Sequence, residues 1–306
     1  MIYVFMRGRL GNQLFQYAFA RTLQLRNPDQ QIQYIFDDVY QSGVKSDGWE
    51  NSLQYFNVID VKEVYNPQIK LSTIQKVAMK LYWTSFPHNQ GIESINKYQM
   101  RWVPLLDKLN LYYLDLGYYP FNTSCHFNSI ISGNFESIRY FMDYQAQIKE
   151  EITPKYPVLS KNKDMMQLIQ RTNSVCISIR RGDYIDNADT SKLLNVCTRN
   201  YFSQAIAYML KHIYNPVFFV FSDDIEWVRN NWAFPKVKCY YEDGDDPVWE
   251  KLRLMYSCKH FIISNSTFSW WAQYLGKNPE KIVIAPEKWY NSEFKPDIFQ
   301  EEWVRL

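Results

Sequence analysis

The second half of the chain has the most regular pattern, with short apolar runs alternating with longer amphipathic ones. Residues 175–179, 217–221, 260–264 and 281–285 are β-branched or aromatic runs, each followed by polar or turn-forming residues. A run that is apolar at nearly every position, rather than at every second one, belongs to a strand covered on both faces, as in a parallel sheet. Between these runs, residues 201–213, 225–231, 248–258 and 268–275 repeat apolar side chains at helical spacing. Such alternation predicts a doubly wound, Rossmann-like domain, in which ligands bind beyond the carboxyl ends of the strands. The loops after each strand are therefore where chemistry is expected.

The first half opens in the same way. A strand over 2–6, the turn Gly8-Arg-Leu-Gly11, Asn12 as N-cap and a helix over 14–26 begin a second α/β unit. Further along, Leu71, Ile74, Val77, Ala78 and Leu81 share one helical face and Lys70, Lys76 and Lys80 the other. This apolar face is expected to pack on its own domain, with peripheral contact to a membrane surface as the alternative. From 149 to 173 the pattern loosens around Pro154, Pro157 and Ser160-Lys-Asn-Lys163, which places a domain boundary near residue 160. The expected fold class is α/β, with two Rossmann-like domains facing across a cleft, 1–160 and 161–306, and the last helix able to pack back on the first domain.

Composition narrows this picture. A length of 306 residues suits two domains of about 150 residues each, and 46% hydrophobic with 22% charged residues excludes a disordered chain. Thirty-four basic against 32 acidic side chains leave a net charge of +2, without the basic footprint of a nucleic-acid binder. An anionic ligand must then meet a local cluster. The apolar run at the N-terminus ends within six residues, too short for a signal-peptide core or a spanning helix, so a cytoplasmic chain without a transmembrane segment is expected. The five cysteines lack any CxxC spacing and read as reduced, mostly buried thiols, and the four histidines share no ligand spacing. No metal site is expected. Glycine is scarce, at 10 residues, so Gly8, Gly11 and Gly182 at turns beside expected strands point to function.

Four segments carry candidate chemistry. Ser178-Ile-Arg-Arg-Gly-Asp-Tyr184 follows a core strand directly, and Arg180 or Arg181 on such a turn can grip phosphate oxygens through paired hydrogen bonds, with Asp183 bracing the pair. The embedded Arg181-Gly-Asp183 also suits an adhesion motif, but that reading needs an exposed extracellular loop. In Phe221-Ser-Asp-Asp224, Ser222 and Asp223 either hold a nucleotide's base or ribose or cap the next helix. In Ser264-Asn-Ser-Thr-Phe-Ser-Trp-Trp271, the side chains of Asn265, Ser266 and Thr267, with Phe268, stand at a helix N-terminus able to hold an anion; Ser266 or Thr267 capping is the plain alternative. Phe268, Trp270, Trp271 and Tyr184 are the aromatic residues placed to meet a ligand, with Trp270 and Trp271 filling the core behind the turn as the alternative. Gly8-Arg-Leu-Gly-Asn-Gln13 lacks the third glycine of a dinucleotide fingerprint, so no NAD or FAD is expected. Glu242-Asp-Gly-Asp-Asp246 contains a DxD pattern but precedes Pro247 and a helix, and reads as a solvated acidic turn.

Together, Gly8-Arg-Leu-Gly-Asn-Gln-Leu-Phe-Gln-Tyr-Ala18, Arg180-Arg-Gly-Asp-Tyr184, Phe221-Ser-Asp-Asp224 and Asn265-Ser-Thr-Phe-Ser-Trp-Trp271 closely resemble the bacterial α-1,2-fucosyltransferases of glycosyltransferase family 11. Gly133-Asn-Phe-Glu-Ser137 and Leu254-Met-Tyr-Ser-Cys-Lys-His260 look like further segments of that family, whereas 38–125 is the least distinctive stretch. Ser178 stands where the family's arginine motif usually opens with His. The resemblance implies a GT-B fold and inverting transfer of L-fucose from GDP-β-L-fucose to the 2-hydroxyl of a terminal galactose on an oligosaccharide acceptor. It also implies that no metal or other cofactor is required, GDP-fucose being a co-substrate. By the same resemblance Arg180 binds the diphosphate, Arg181 and Asp183 brace the motif, Asp223 is the candidate guanine ligand, and Ser222 belongs to the GDP-fucose site. Asn265, Ser266, Thr267 and Phe268 line the phosphate and fucose end, and Asn12 faces the reaction centre. Asp183 is the candidate base, with Asp186 and Asp189 nearby; a path in which the phosphate takes the proton remains open. A transferase with another donor or regiochemistry, or a non-catalytic carbohydrate-binding protein rich in aromatic rings, are the competing readings.

Overall fold

Every named strand pair is parallel, and the strands fall into two sheets. The structure is a computed structural model that describes residues 1–36, 50–59, 61–64, 67–88, 90–124, 126–182, 184, 188–232, 234 and 237–306. It divides into one unit of Met1–Lys155 with Pro296–Ile298, and another of Tyr156–Lys295 with Phe299–Leu306. Among the described residues, no helix is long and apolar enough to cross a membrane.

The first unit runs β1 (Ile2–Phe5), α1 (Leu10–Arg26), β2 (Ile32–Ile35), β3 (Glu63–Val64), α2 (Thr73–Thr84), α3 (Ile92–Asp107), β4 (Leu111–Leu114), β5 (Ser129–Gly133) and α4 (Gln145–Glu151). The sheet order is β3-β2-β1-β5-β4. Successive strands build outward from β1 on one side, then the chain crosses to the other, so the order reverses between β1 and β5. Ligands of open α/β sheets bind at such a reversal.

Helix α1 starts earlier than the apolar periodicity suggests. Arg9 is its N-cap residue, making no side-chain cap, and Asn12 lies inside the first turn rather than at the cap. Gly11 is likewise helical, whereas Gly8 adopts φ +68, and a Cβ there would sit 3.0 Å from the Asn12 side chain. A left-handed backbone and no room for a methyl group require glycine at this turn.

Helix α2 also departs from expectation. Its inward residues are Gln75, Ala78 and Tyr82, whereas Ile74, Val77 and Leu81 are 56%, 53% and 54% exposed. The inward stripe is shifted by one residue, a rotation of about 100°. Gln75 accounts for this, since its Nε2 donates to Leu109 O at 2.8 Å and Asn128 O at 2.7 Å, two carbonyls that an apolar side chain would leave unpaired. Tyr82 adds an aromatic cluster, its ring centroid 5.3 Å from Tyr98 and 5.2 Å from Tyr113.

The second unit runs α5 (Lys163–Arg171), β6 (Asn173–Ile179), α6 (Ala188–Leu194), α7 (Arg199–His212), β7 (Pro216–Ser222), α8 (Ile225–Asn231), β8 (Cys239–Tyr241), α9 (Val248–Tyr256), β9 (His260–Ile262), α10 (Thr267–Leu275), β10 (Val283–Ala285) and β11 (Val304–Arg305). Its sheet order is β11-β10-β9-β6-β7-β8, so the reversal falls between β6 and β9. The apolar runs are core on both faces: Val175, Ile177, Phe218, Val220 and Ile262 are buried on one, and Cys176, Phe219 and Phe261 on the other. Pairing of β6 with β7 from Asn173↔Pro216 to Ile179↔Ser222 levels their carboxyl ends. This register sets Arg180 beside Asp223.

Candidate functional site

In the second unit, three strand ends converge at the reversal. Arg180 Nη1 lies 2.9 Å from Asp223 Oδ2, and the backbone N–H of Arg181 donates to Asp223 Oδ1 at 2.9 Å. Asp223 thus organises the arginine turn from the neighbouring strand. The Arg181 guanidinium stacks over Trp227, 3.1 Å from the ring centroid, and its Nε donates to Asp224 Oδ2 at 3.4 Å. Asp224 also caps α8 by accepting from Trp227 N, and its own N–H donates to Ser222 Oγ. Of the two helix-capping candidates, Ser222 and Asp223, neither is the cap residue. Gly182 makes room for the Asp223 carboxylate, because a Cβ there would sit 2.6 Å from Oδ2. The Arg180 and Asp223 side chains are 19% and 23% exposed, fixed in place yet reachable.

Behind this turn the Ser222 N–H donates to Glu242 Oε1 at 2.7 Å, and Lys251 lies 3.0 Å from the other Glu242 oxygen. Burial raises the Glu242 carboxyl above its ordinary value, with Lys251 pulling the other way. The acidic segment is therefore not a wholly solvated turn. Glu242 and Asp246 are buried, and Asp246 accepts from Asn162 Nδ2 at 2.9 Å and lies 3.0 Å from Lys161 Nζ, while Asp243 and Asp245 are exposed. Among the described residues, no group of three or more His, Cys, Asp or Glu is placed to hold a metal ion.

The turn after β9 joins the site through Tyr184, whose hydroxyl donates to Asn265 O at 2.9 Å. The Asn265 side chain faces inward, donating to Leu194 O and Trp289 O at 2.9 and 2.8 Å, and so it shapes the loop. Ser266, the N-cap residue of α10 without a side-chain cap bond, Thr267 and Phe268 are partly exposed. The leading N–H groups of a helix have no intrahelical acceptor and the helix dipole favours an anion there. Trp270 and Trp271 do not stand where a ligand meets them: both are fully buried, 5.2 Å apart and edge-on. Ser178 is buried in β6 with its hydroxyl 2.7 Å from Ser269 Oγ, tying the strand to α10. Asp183 and Asp186 lie outside the described residues, as does the Asp189 side chain.

The first unit builds its own polar cluster at the reversal between β1 and β5. Arg7, after β1, donates to Ser132 Oγ at 2.8 Å and lies 3.5 Å from Asp115, which follows β4. The Gln16 amide holds the Arg7 backbone at both ends, accepting from its N–H at 2.9 Å and donating to its carbonyl at 3.2 Å. Gln13 Nε2 donates to two carbonyls, Gly8 O at 3.0 Å and Glu50 O at 2.7 Å. Asn12 Nδ2 lies 3.5 Å from both Asn134 Oδ1 and Glu136 Oε1, the long limit of hydrogen bonding. Phe135, between these acceptors, has φ +53, a left-handed backbone that aromatic residues rarely adopt. Burial and, after it, the Asp115 charge push the Glu136 carboxyl up to about 8. Asp115 itself is raised by burial, opposed by Arg7 and Gln99.

Glu136, Asp115 and Arg7 are absent from the residues read as functional in the sequence, although segment 133–137 stood out as a motif. The missing information was the place of β5 beside β1, which turns a glutamate after a short strand into a neighbour of Asn12.

Comparison with known proteins places these turns in a family. The model of glycosyl transferase family 11 matches residues 112–306, which include the arginine turn, Ser222–Asp224 and the start of α10. An α-1,2-colitosyltransferase of Escherichia coli is 38% identical over 183 residues, 57% of this chain and 61% of that protein. The chain thus matches about three fifths of that relative's length. The O-antigen biosynthesis glycosyltransferase WbnK of Escherichia coli is 27% identical over the whole of both chains, and a galactoside 2-α-L-fucosyltransferase of Caenorhabditis elegans is 28% identical over 58% of this chain and 52% of its own. Crystal structures of the fucosyltransferase NodZ from Bradyrhizobium and of NodZ with GDP superpose with TM-scores of 0.52 and 0.53 at 13% and 12% identity, covering 92% of this chain and 95% and 94% of theirs. The likeness is one of fold, the GT-B type with two Rossmann-like domains. The chain belongs to glycosyl transferase family 11.

Proposed function

We propose that this chain transfers L-fucose from GDP-β-L-fucose to the 2-hydroxyl of a terminal galactose on an oligosaccharide, with inversion to an α-1,2 linkage. The observation that carries the reading is the arginine turn at the β6–β9 reversal, where Arg180 is held by Asp223 beside the N-terminus of α10. As the bond from fucose C1 to the diphosphate stretches, negative charge grows on the phosphate and positive charge on the sugar ring, in an oxocarbenium-like transition state. Arg180 and the leading N–H groups of α10, with Ser266 and Thr267, meet the phosphate; fixed donors aimed at developing charge are an effective source of rate. Arg181, stacked on Trp227, braces the turn, and no metal is required for this charge balance. In this reading Asp223 and Ser222 are assigned to the guanosine end.

The incoming hydroxyl needs a base. Glu136 fills that role in the first unit: its raised carboxyl is a stronger base than an ordinary glutamate, and Asn12 is placed to orient the acceptor against it. Asp183 is the competing carboxylate. A path in which the departing phosphate takes the proton makes the rate independent of either group.

The second reading exchanges the donor. The 38% identity to an α-1,2-colitosyltransferase supports a colitosyl nucleotide as the alternative donor, the two sugars differing only at the 3-hydroxyl. Supplying both donors separately with lactose distinguishes these: faster turnover of GDP-fucose supports the first reading, and faster turnover of the colitosyl donor replaces it.

A further inference from the structure

Between Pro67 and Thr84 the chain carries Lys70, Lys76 and Lys80 and no acidic residue. Helix α2, within this stretch, is held rigidly from beneath by the Gln75 amide and the Tyr82 ring, and started by a full capping box in which Ser72 and Gln75 bond reciprocally. Its outward face therefore has a fixed composition: Ile74, Val77 and Leu81 in one stripe, each more than half exposed, with exposed Lys76 and Lys80 along its flank and Lys70 at its approach. Next in sequence, α3 exposes Met100 and Leu105 with Lys97 and Arg101, against a single exposed acid, Glu93.

We infer that the outward face of α2 docks on an anionic lipid surface, with Ile74, Val77 and Leu81 entering the boundary between headgroups and acyl chains and Lys70, Lys76 and Lys80 meeting lipid phosphates. Charge complementarity selects this occupant. A second copy of the chain would set two lysine-flanked stripes against each other with no acid on either helix to pair them, whereas an anionic bilayer supplies both the apolar layer and the opposite charge. Lysine stems can lie along the boundary while their ammonium groups stay at the phosphates. The inference is independent of the donor and acceptor proposed above.

The test is flotation of the full chain with vesicles of phosphatidylcholine containing 30% phosphatidylglycerol, beside vesicles of pure phosphatidylcholine. The wild type is expected to float with the anionic vesicles and to be released by high salt. Each Lys→Gln change at Lys76 and Lys80 is expected to lower partitioning about fivefold, and Ile74→Ser/Val77→Ser/Leu81→Ser to abolish it. Unchanged thermal melting and unchanged transfer to a soluble galactoside show that these surface variants are folded. Failure of the wild type to float, or flotation of the triple variant at the wild-type level, overturns the inference. A wild-type dimer in light scattering that the triple variant converts to monomer, without change in flotation, assigns the face to a second copy and overturns it as well.

Discussion

Replacing Glu136 by Gln keeps its size and removes its titration. With the carboxyl pushed up to about 8, roughly one tenth of the free enzyme carries the ionised base at pH 7, and half at pH 8. If ionised Glu136 accepts the proton of the acceptor hydroxyl, kcat/KM rises about fivefold from pH 7 to pH 8 and levels off near pH 9. Burial sets this value first and the charge of Asp115, which lies beside Arg7, adds to it. Glu136→Gln is expected to lose the alkaline limb and about 10²–10⁴ in turnover at the plateau. Stability moves the other way. A folded value raised from 4.5 to about 8 means that Glu136 favours the folded state fully below pH 4.5, and that this contribution is lost as pH rises through 8. The glutamine variant keeps its neutral side chain throughout, so its melting temperature matches wild type at pH 4 and exceeds it increasingly up to pH 8. Initial rates from pH 6 to 9.5, with melting curves at the same pH values, check both. A variant that keeps the limb, or more than half the wild-type turnover, refutes the assignment of Glu136 as base.

Arg180→Ala is expected to lower turnover by about 10²–10³, and Arg180→Lys to recover little of it, because an ammonium cannot reproduce the fork that Asp223 orients; steady-state kinetics with GDP-fucose measure both, and retention of half the activity in the alanine variant contradicts the diphosphate role. Gly182→Ala forces the Asp223 carboxylate away from the turn, and the misplaced arginine is expected to cost up to about 10² in turnover with a folded protein by melting. Dialysis against EDTA is expected to leave turnover unchanged; a loss restored by magnesium or manganese shows that a cation shares the charge now assigned to the arginines.

The second unit was legible because its strands are buried on both faces, so a run such as 217–221 has few other uses, and because residues 180–182 follow such a run directly. The register that brings Asp223 against Arg180 is not written in either segment. A carboxylate there reads equally as nucleotide ligand or helix cap, and its partner lies 43 residues away in sequence. The first unit was less legible for two physical reasons. Helix α1 begins with no side-chain cap, which made the favourable capping residue Asn12 look like the start. Helix α2 turns a polar residue inward because two loop carbonyls need Gln75, so apolar periodicity named the wrong face. Glu136 was missed for a further reason: its neighbours Asn12 and Asp115 come from elements that sequence pattern alone does not place side by side.

The most direct measurement of the central claim is the structure of the product formed from GDP-fucose and lactose, read by methylation analysis and by the anomeric proton coupling in NMR. The account predicts fucose on the 2-hydroxyl of galactose in the α configuration, formed about 10²–10³ more slowly by the Arg180→Ala enzyme. A β-linked fucose, attachment at another hydroxyl, or undiminished product from that variant contradicts it.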